Sequence, residues 1–330
     1  MDFLRPASWE EALAAKAEHP SAVPIAGGTD VMVEINFDHR RPEYLMDLNR
    51  IGELREWEIG GSGGSGGSGG DGGDGGAAVQ DTVRLGAGVT YTDIITRLRT
   101  ELPGLALAAH TVGSPQIRNR GTVGGNLGAA SPAGDSHPAL LAAGAEVEVA
   151  SVRGTRLIPV EEFYTGVKRN ALEPDELIRA VRIRRATGPQ QFSKVGTRNA
   201  MVIAVCAFGL ALHPGTRTVR TGIGSAAPTP VRATTAEEFL NAALEEGGFW
   251  DSGRIITPSV AKQFADLCAA ACSPIDDVRG TAKYRRHAVG TMARRTLGWT
   301  WEEYRRNRGA AGAGDPGDTG GKGEGGALCA

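Results

Sequence analysis

The chain has 330 residues and a mass of 34.4 kDa, enough for two or three domains, each with a core of its own. Its 36 basic and 38 acidic side chains leave a formal net charge of -2, which gives no electrostatic case for nucleic acid or an anionic membrane surface. No apolar run approaches the roughly 20 residues that span a bilayer, and the N-terminus lacks the basic start and apolar stretch of a signal peptide, so a cytoplasmic protein is expected.

The first segment to read as structure is SWEEALAAKAE, residues 8–18, a helix with Ser8 as N-cap and Glu11 three residues on, the pattern of a capping box. VPIAGG reads as a short apolar strand entering a glycine turn, TDVMVEINF as a helix, and PEYLMDLNRI as a second strand. LREWEIGG looks like a strand, and residues 60–76, GGSGGSGGSGGDGGDGG, form a flexible polar tract with nothing to pack. After the tract, Val83 and Leu85 alternate with polar neighbours. Two strands flanking such a tract predict a hairpin with an overgrown loop, since closure entropy grows only logarithmically with loop length.

Downstream, TDIITRLRTELPGLA reads as a helix and RNRGTVGGNLGAASPAGD, residues 118–135, as a second glycine loop. A short helix follows, then EVEVAS, RGTRLIPVEEFYTG and DELIRAVRI, whose alternation suits strands. MVIAVCAFGLAL is buried by composition but is strand or helix by pattern alone. TVRTGIGSAAPTPVRA reads as strand and turn, and TTAEEFLNAALEE, TPSVAKQFADLCAAA and TAKYRRHAVGTMARRTLGW read as helices. Residues 309–330, GAAGAGDPGDTGGKGEGGALCA, are expected to be a disordered tail.

Cys206, Cys268, Cys272 and Cys329 make no paired disulfide framework. Cys268 and Cys272 lie four apart on an apparent helix, with no second ligand pair near them, and read as small buried residues; a chain-borne iron–sulfur cluster needs four clustered thiolates. The six histidines show no metal-ligand spacing, and His137 beside Asp135 suits a capping or loop role.

Two motifs carry chemistry. PIAGGTDV and GTVGGN each place paired glycines beside a hydroxyl residue and a polar side chain. Glycine lets a ligand approach the main chain, and successive backbone N–H groups in such a turn form a concave anion site. Either loop alone is an ordinary tight turn; the two together suit the two phosphates of a diphosphate. Arg118 and Arg120 flank the second loop and either neutralise phosphate or are simply solvated, while Lys194 and Arg198 either approach a cofactor or pair with a loop carboxylate. Gly222-Ile223-Gly224-Ser225-Ala226-Ala227 fits G-x-G-x-x-A, but Pro228 and Pro230 oppose the helix that a dinucleotide fingerprint needs there.

The segments PIAGGTDV, QIRNRGTVGGNLGAASPAGDSHPALLAAGAEVEV, FYTG, DELI and FSK resemble the FAD-binding subunit of the molybdenum hydroxylases, and DVRGTAKYRRHAVGTMARRTL resembles that family's C-terminal domain. The resemblance spans nearly the whole chain apart from the glycine tract and tail, and is greatest to bacterial xanthine dehydrogenase flavin subunits, with a further likeness to the medium subunit of carbon monoxide dehydrogenase. It implies an α+β chain: a PCMH-type FAD-binding fold of two subdomains, residues 1–58 and 78–185, with the glycine-rich hairpin loop 59–77 between them, then a C-terminal α+β domain of antiparallel sheet and helices, residues 186–308. It further implies that the FAD diphosphate sits between a first loop of Pro24, Ile25, Ala26, Gly27, Gly28, Thr29, Asp30 and Val31 and a second of Thr122, Val123, Gly124, Gly125 and Asn126. Asp135 would bond the ribityl or phosphate region, Ile178 and Lys194 match further FAD-contacting positions, and Val112 stands where the family often has an aromatic residue near the flavin. The molybdenum cofactor and the [2Fe–2S] clusters would then belong to a large and a small partner subunit, with electrons leaving to NAD⁺ or another acceptor and the oxidised substrate bound elsewhere.

Overall fold

The computed structural model describes residues 1–60 and 82–312, so the glycine tract beyond Gly60, the tail from residue 313 and Cys329 lie outside the described residues. The N-terminal unit contains β1 (Asp2–Leu4), α1 (Trp9–Glu18), β2 (Val23–Ile25), α2 (Val31–Asn36) and β3 (Tyr44–Asp47). Its strands form a parallel sheet in the order β1-β3-β2. Ser8 caps α1 by accepting the Glu11 N–H at 3.2 Å, and the Glu11 carboxylate returns to the Ala7 N–H at 2.8 Å, one residue earlier than a simple capping box. Trp9, Ala12 and Lys16 are the buried stripe of this helix, at the spacing that puts side chains on one face.

A five-stranded antiparallel sheet, β4-β5-β10-β6-β7, is the platform of the next unit, from β4 (Trp57–Ile59), β5 (Thr82–Gly86), β6 (Glu146–Ser151), β7 (Gly154–Pro159) and β10 (Leu177–Arg184). The expected boundary at residue 58 cuts through β4, which pairs with β5 in the register Trp57↔Leu85 and Ile59↔Val83. The larger sheet therefore begins before the glycine tract, because Trp57 and Ile59 pack against its core. Between β5 and β6 run α3 (Tyr91–Arg97), α4 (Pro103–His110), α5 (Pro115–Arg118), α6 (Val123–Ala129) and α7 (Ser136–Ala143); between β7 and β10 lie α8 (Val160–Phe163), β8 (Tyr164–Gly166) and β9 (Arg169–Asn170).

The last unit is a three-stranded antiparallel sheet, β11 (Gln190–Val195), β12 (Cys206–His213) and β13 (Thr218–Gly224), covered by α9 (Thr234–Glu246), α10 (Phe249–Ser252), α11 (Pro258–Ala270) and α12 (Ala282–Gly312). The ambiguous apolar run resolves here: residues 201–205 are irregular, and β12 is the central strand. Cys206, Phe208, Leu210 and Leu212 face the helices while Ala207 joins the core of the preceding unit, so burial on both faces removes the polar alternation that marks a half-exposed strand. The second face of this sheet lies on α7, and a Cβ on Gly222 would come within 2.1 Å of the Pro138 carbonyl oxygen. Helix α12 continues to Gly312, past the expected end at residue 308 and into the first residues of the expected tail; Ala310 and Ala311 favour helix, and the next proline is Pro316.

Cys206, Cys268 and Cys272 are buried free thiols, and burial pushes those of Cys206 and Cys272 up to about 12 and about 11. Among the described residues no group of three metal-ligating side chains occurs, and no helix is long and apolar enough to cross a membrane. The Gly222–Gly224 segment is strand, followed by a left-handed Ser225 and irregular chain, so no dinucleotide-binding helix opens there. Phe208 is fully buried against Phe264 at a ring separation of 6.5 Å. Phe208→Ala is expected to lower unfolding stability by about 3–5 kcal/mol, read from the urea midpoint at unchanged slope.

Candidate cofactor cleft

The N-terminal unit and the five-stranded unit enclose between them a cavity of ≈ 1090 Å³. One wall is the loop that leaves β2, Ala26 to Val31; the facing wall is Arg120 to Thr122 and Gly124 to Asn126 at the start of α6, with Thr90 and Tyr91 beside them. The walls meet where Gly27 passes the Arg120 carbonyl: a Cβ on Gly27 would lie 2.0 Å from that oxygen, so any other residue would force the loops apart. Gly28 follows in the left-handed region, at φ +75°, and turns the chain into α2. The first loop is pinned from behind by Asn49, whose Nδ2 donates to the Ala26 carbonyl at 2.8 Å and to Asp47 Oδ1 at 2.7 Å. The second is shaped by Thr122, the N-cap of α6, whose Oγ1 accepts the Gly125 N–H at 2.9 Å.

The two glycines of the second loop do different work. A Cβ on Gly124 would meet the Ala87 carbonyl at 2.5 Å, whereas one on Gly125 would meet only Thr122 Oγ1, at 3.1 Å. Gly124 lets α6 lie against the end of β5, and Gly125 keeps the cleft wall bare. Among the described residues, the N–H groups of Gly28, Thr29 and Asp30 on one wall, and of Val123 and Gly124 on the other, have no hydrogen-bond acceptor within the protein. Unpaired main-chain donors converging from two loops are what an elongated anion requires.

Pro24, Ala26, Gly27, Gly28, Thr29, Asp30, Val31, Val112, Thr122, Gly124, Gly125, Asn126, Asp135 and Ile178 all line the cleft. Three residues named with them do not. Ile25 is half-buried at the end of β2 and Val123 turns into the core, as the inward positions beside two outward-facing loops must. Lys194 stands behind the wall, its Nζ donating to Asp135 Oδ2 at 2.7 Å and to the Thr111 carbonyl at 3.1 Å. The open alternatives for the cations also resolve: Lys194 pairs with a loop carboxylate, and Arg118 donates to the carbonyls of His110, Val112 and Gly113 rather than facing the cleft. Arg120 lines the cavity, and Arg198 bonds only the nearby carbonyls of Ala200 and Met201. His137 is fully buried, shares a hydrogen bond of 2.7 Å between its Nδ1 and the Tyr164 hydroxyl, and has its pKa driven by burial down to about 3, so it is a neutral core residue.

Sequence reasoning passed over Asn49, Thr90, Tyr91, Asn170 and the segment Met201 to Ile203, all on the cleft surface. It also missed Lys168, which reaches from the β8–β9 turn to Glu34 Oε1 on α2 at 2.8 Å and so links the two walls at one end. No single spacing marks these positions, because they are gathered from the loop after β3, the start of α3, the β8–β9 hairpin and the segment before β12.

One polar atom shows what the cleft lacks. Asp135 is held by Lys194 through Oδ2, while its Oδ1 is buried with no partner. Burial pushes the Asp135 carboxyl up to about 6, against the opposing pull of the Lys194 ammonium and its hydrogen bond. An unpaired buried acceptor costs of order 1–3 kcal/mol, which a ligand hydroxyl or N–H at that point would relieve.

Residues 1–69 and 75–185 match the FAD binding domain in molybdopterin dehydrogenase, and residues 191–300 match the CO dehydrogenase flavoprotein C-terminal domain. The chain belongs to the FAD-binding subunits of the molybdenum hydroxylase family. It is 30% identical over 305 residues to the xanthine dehydrogenase FAD-binding subunit of Escherichia coli O157:H7, covering 89% of this chain and 94% of that one. It is 29% identical over 309 residues to the carbon monoxide dehydrogenase medium chain of Hydrogenophaga pseudoflava, covering 91% and 96%. The carbon monoxide dehydrogenase structure from the same organism, in a form lacking the Mo-pyranopterin moiety of the molybdenum cofactor, matches with a TM-score of 0.78 at 28% identity, covering 92% of this chain and 98% of that one. The fold class follows: an α+β FAD-binding domain and an α+β C-terminal domain. The bare glycine walls, the unpaired N–H groups and the orphaned Asp135 oxygen fit FAD, whose diphosphate takes donors and whose ribityl hydroxyls offer them.

Two consequences are measurable. Gly124→Val is expected to destabilise the FAD-free chain by about 1–3 kcal/mol through overpacking against Ala87. Gly125→Ala is expected to leave the FAD-free melting temperature near wild type while weakening FAD binding about tenfold or more; equal effects of the two on melting and on FAD would reject this division of roles. For Asp135, the folded FAD-free chain keeps a proton that the unfolded chain has lost between the ordinary 3.8 and about 6. Its contribution to unfolding free energy therefore falls as pH rises through that window and is flat above it. Asp135→Asn should remove that slope from stability measured between pH 4 and 7.

Proposed function

We propose that this chain is the flavin carrier of a heteromeric molybdenum hydroxylase. It receives electrons one at a time from [2Fe–2S] clusters of a small partner subunit, themselves fed by the molybdenum cofactor of a large partner subunit, and passes them in pairs to NAD⁺ or another soluble acceptor in the cytoplasm. The observation that carries this reading is the pair of crossing glycine loops that form facing walls of one cleft, with unpaired main-chain N–H groups among their residues. Bound FAD supplies both one- and two-electron redox chemistry, and the protein supplies its placement and electrostatics.

The residues divide that placement. Gly28, Thr29 and Asp30 offer main-chain donors from one wall, and Val123 and Gly124 offer them from the other. Thr122 holds the second wall in shape. Asp135, fixed by Lys194, presents one acceptor oxygen to the cofactor's hydroxyl region. Val112 leaves more room beside the ring than an aromatic side chain would.

A purine such as xanthine is the substrate class we favour for the complex, supported by the 30% identity to the xanthine dehydrogenase FAD-binding subunit along almost its full length. The second reading, a carbon monoxide or aldehyde-type dehydrogenase, draws on the TM-score of 0.78 with the carbon monoxide dehydrogenase structure. Purification of the native complex tests both. The chain is expected to hold one noncovalent FAD and to co-purify with molybdenum and [2Fe–2S] subunits, and anaerobic xanthine should bleach its flavin absorbance only when those subunits are present. A colourless chain that cannot be reconstituted with FAD rejects the cofactor assignment. Bleaching of the isolated chain by a small substrate rejects the relay role, and bleaching of the complex by carbon monoxide but not xanthine selects the second reading.

A further inference from the structure

We propose that Ser136 is a positioning residue for FAD: its hydroxyl holds the Asn126 amide with the Nδ2 end turned to the cleft. The inference rests on the FAD reading above and assigns a role to a residue that touches no part of the cavity. Asn126 is half-buried near the start of α6 and lines the cleft. Ser136, the first residue of α7, is completely buried and does not line it. Its Oγ donates to Asn126 Oδ1 at 2.6 Å.

That bond decides the sign of what Asn126 offers a ligand. A carboxamide has an acceptor end and a donor end, and only the NH₂ end attracts an anion. With Oδ1 engaged by Ser136 on the protein side, Nδ2 is the end left without a protein partner among the described residues. The oxygen lies on the protein side, beside the 131–134 loop: a Cβ on Gly134 would come within 2.8 Å of Asn126 Oδ1. Without the serine hydroxyl the amide has no reason to prefer this orientation. The flipped state would turn a carbonyl oxygen toward the diphosphate.

The position of Ser136 is itself set at a distance. It follows Asp135 directly, so one helix start delivers both the orphaned acceptor and the hydroxyl that aims Asn126. Helix α7 is seated by the Pro138 backbone against Gly222 of β13.

The test is FAD titration of the apo chain, with a double-mutant cycle. Ser136→Ala is expected to weaken FAD about ten- to thirtyfold, the loss of one charge-assisted hydrogen bond. Asn126→Ala should give a similar loss, and Ser136→Ala added to Asn126→Ala should give no further loss. The ³¹P resonances of FAD bound to the Ser136→Ala chain should shift from their wild-type positions. Ser136→Cys, which keeps the bulk but donates weakly, should fall between wild type and Ser136→Ala, and serves in its place if the alanine variant does not fold. Wild-type affinity in Ser136→Ala, or an undiminished effect in the Asn126→Ala background, overturns the inference while leaving FAD binding intact. Failure of the wild-type chain to take up FAD at all overturns the cofactor reading instead.

Discussion

Everything in the cleft depends on how closely two main chains pass at Gly27. The Arg120 carbonyl occupies the space where a Cβ would stand, 2.0 Å from its ideal position. This approach sets the distance between a loop anchored on the parallel sheet and a loop anchored on the antiparallel sheet. Because the two walls meet main chain to main chain, their spacing needs no side-chain entropy to be fixed. Asn49 behind the first loop and Thr122 within the second hold the two turns in place, so the donors are already arranged before any ligand arrives.

The C-terminal unit contributes little surface to the cleft but stabilises its most exacting part. Lys194 comes from β11 and crosses to Asp135, satisfying one carboxylate oxygen while the other is buried with no partner among the described residues. The backbone of α7 lies against Gly222 so closely that the helix start carrying Asp135 and Ser136 follows the C-terminal sheet. Arg285, buried on α12, donates to the carbonyls of Val205 and Ser225, and the Ser225 N–H donates to the Pro132 carbonyl. One guanidinium thus braces both the 201–205 segment and the loop leading to Asp135. A domain that carries no glycine loop is in this way part of the binding geometry.

The elements were largely legible because their signals are local. The capping pair on α1, the proline at the start of α11, and the alternation in β5 and β10 act over a few residues and need no partner, whereas the single helix read over TDIITRLRTELPGLA is two, α3 and α4, the second starting at Pro103. The apolar run ending in β12 was not legible, since a strand buried on both faces and a buried helix have the same composition. Nor was the membership of β4, because which sheet a strand joins is settled by its partner, here β5 on the far side of the glycine tract.

The spacing of the glycines was enough to pick out two loops suited to a diphosphate, and the long ordered likeness around the second pointed to FAD as the cofactor. Only the tertiary structure decided what each residue of those loops does. Gly124 and Gly125 are adjacent and chemically identical, yet one faces the Ala87 backbone and the other the cavity. Lys194 bonds Asp135 and Arg118 bonds main-chain carbonyls, neither lining the cleft, and Ser136, with no motif to mark it, sits on the Asn126 amide. Those assignments depend on which groups the assembled fold brings together, from Arg118 and Val112, 6 positions apart, to Lys194 and Asp135, 59 apart, or on which way a Cα faces, and neither is encoded in the spacing of a motif.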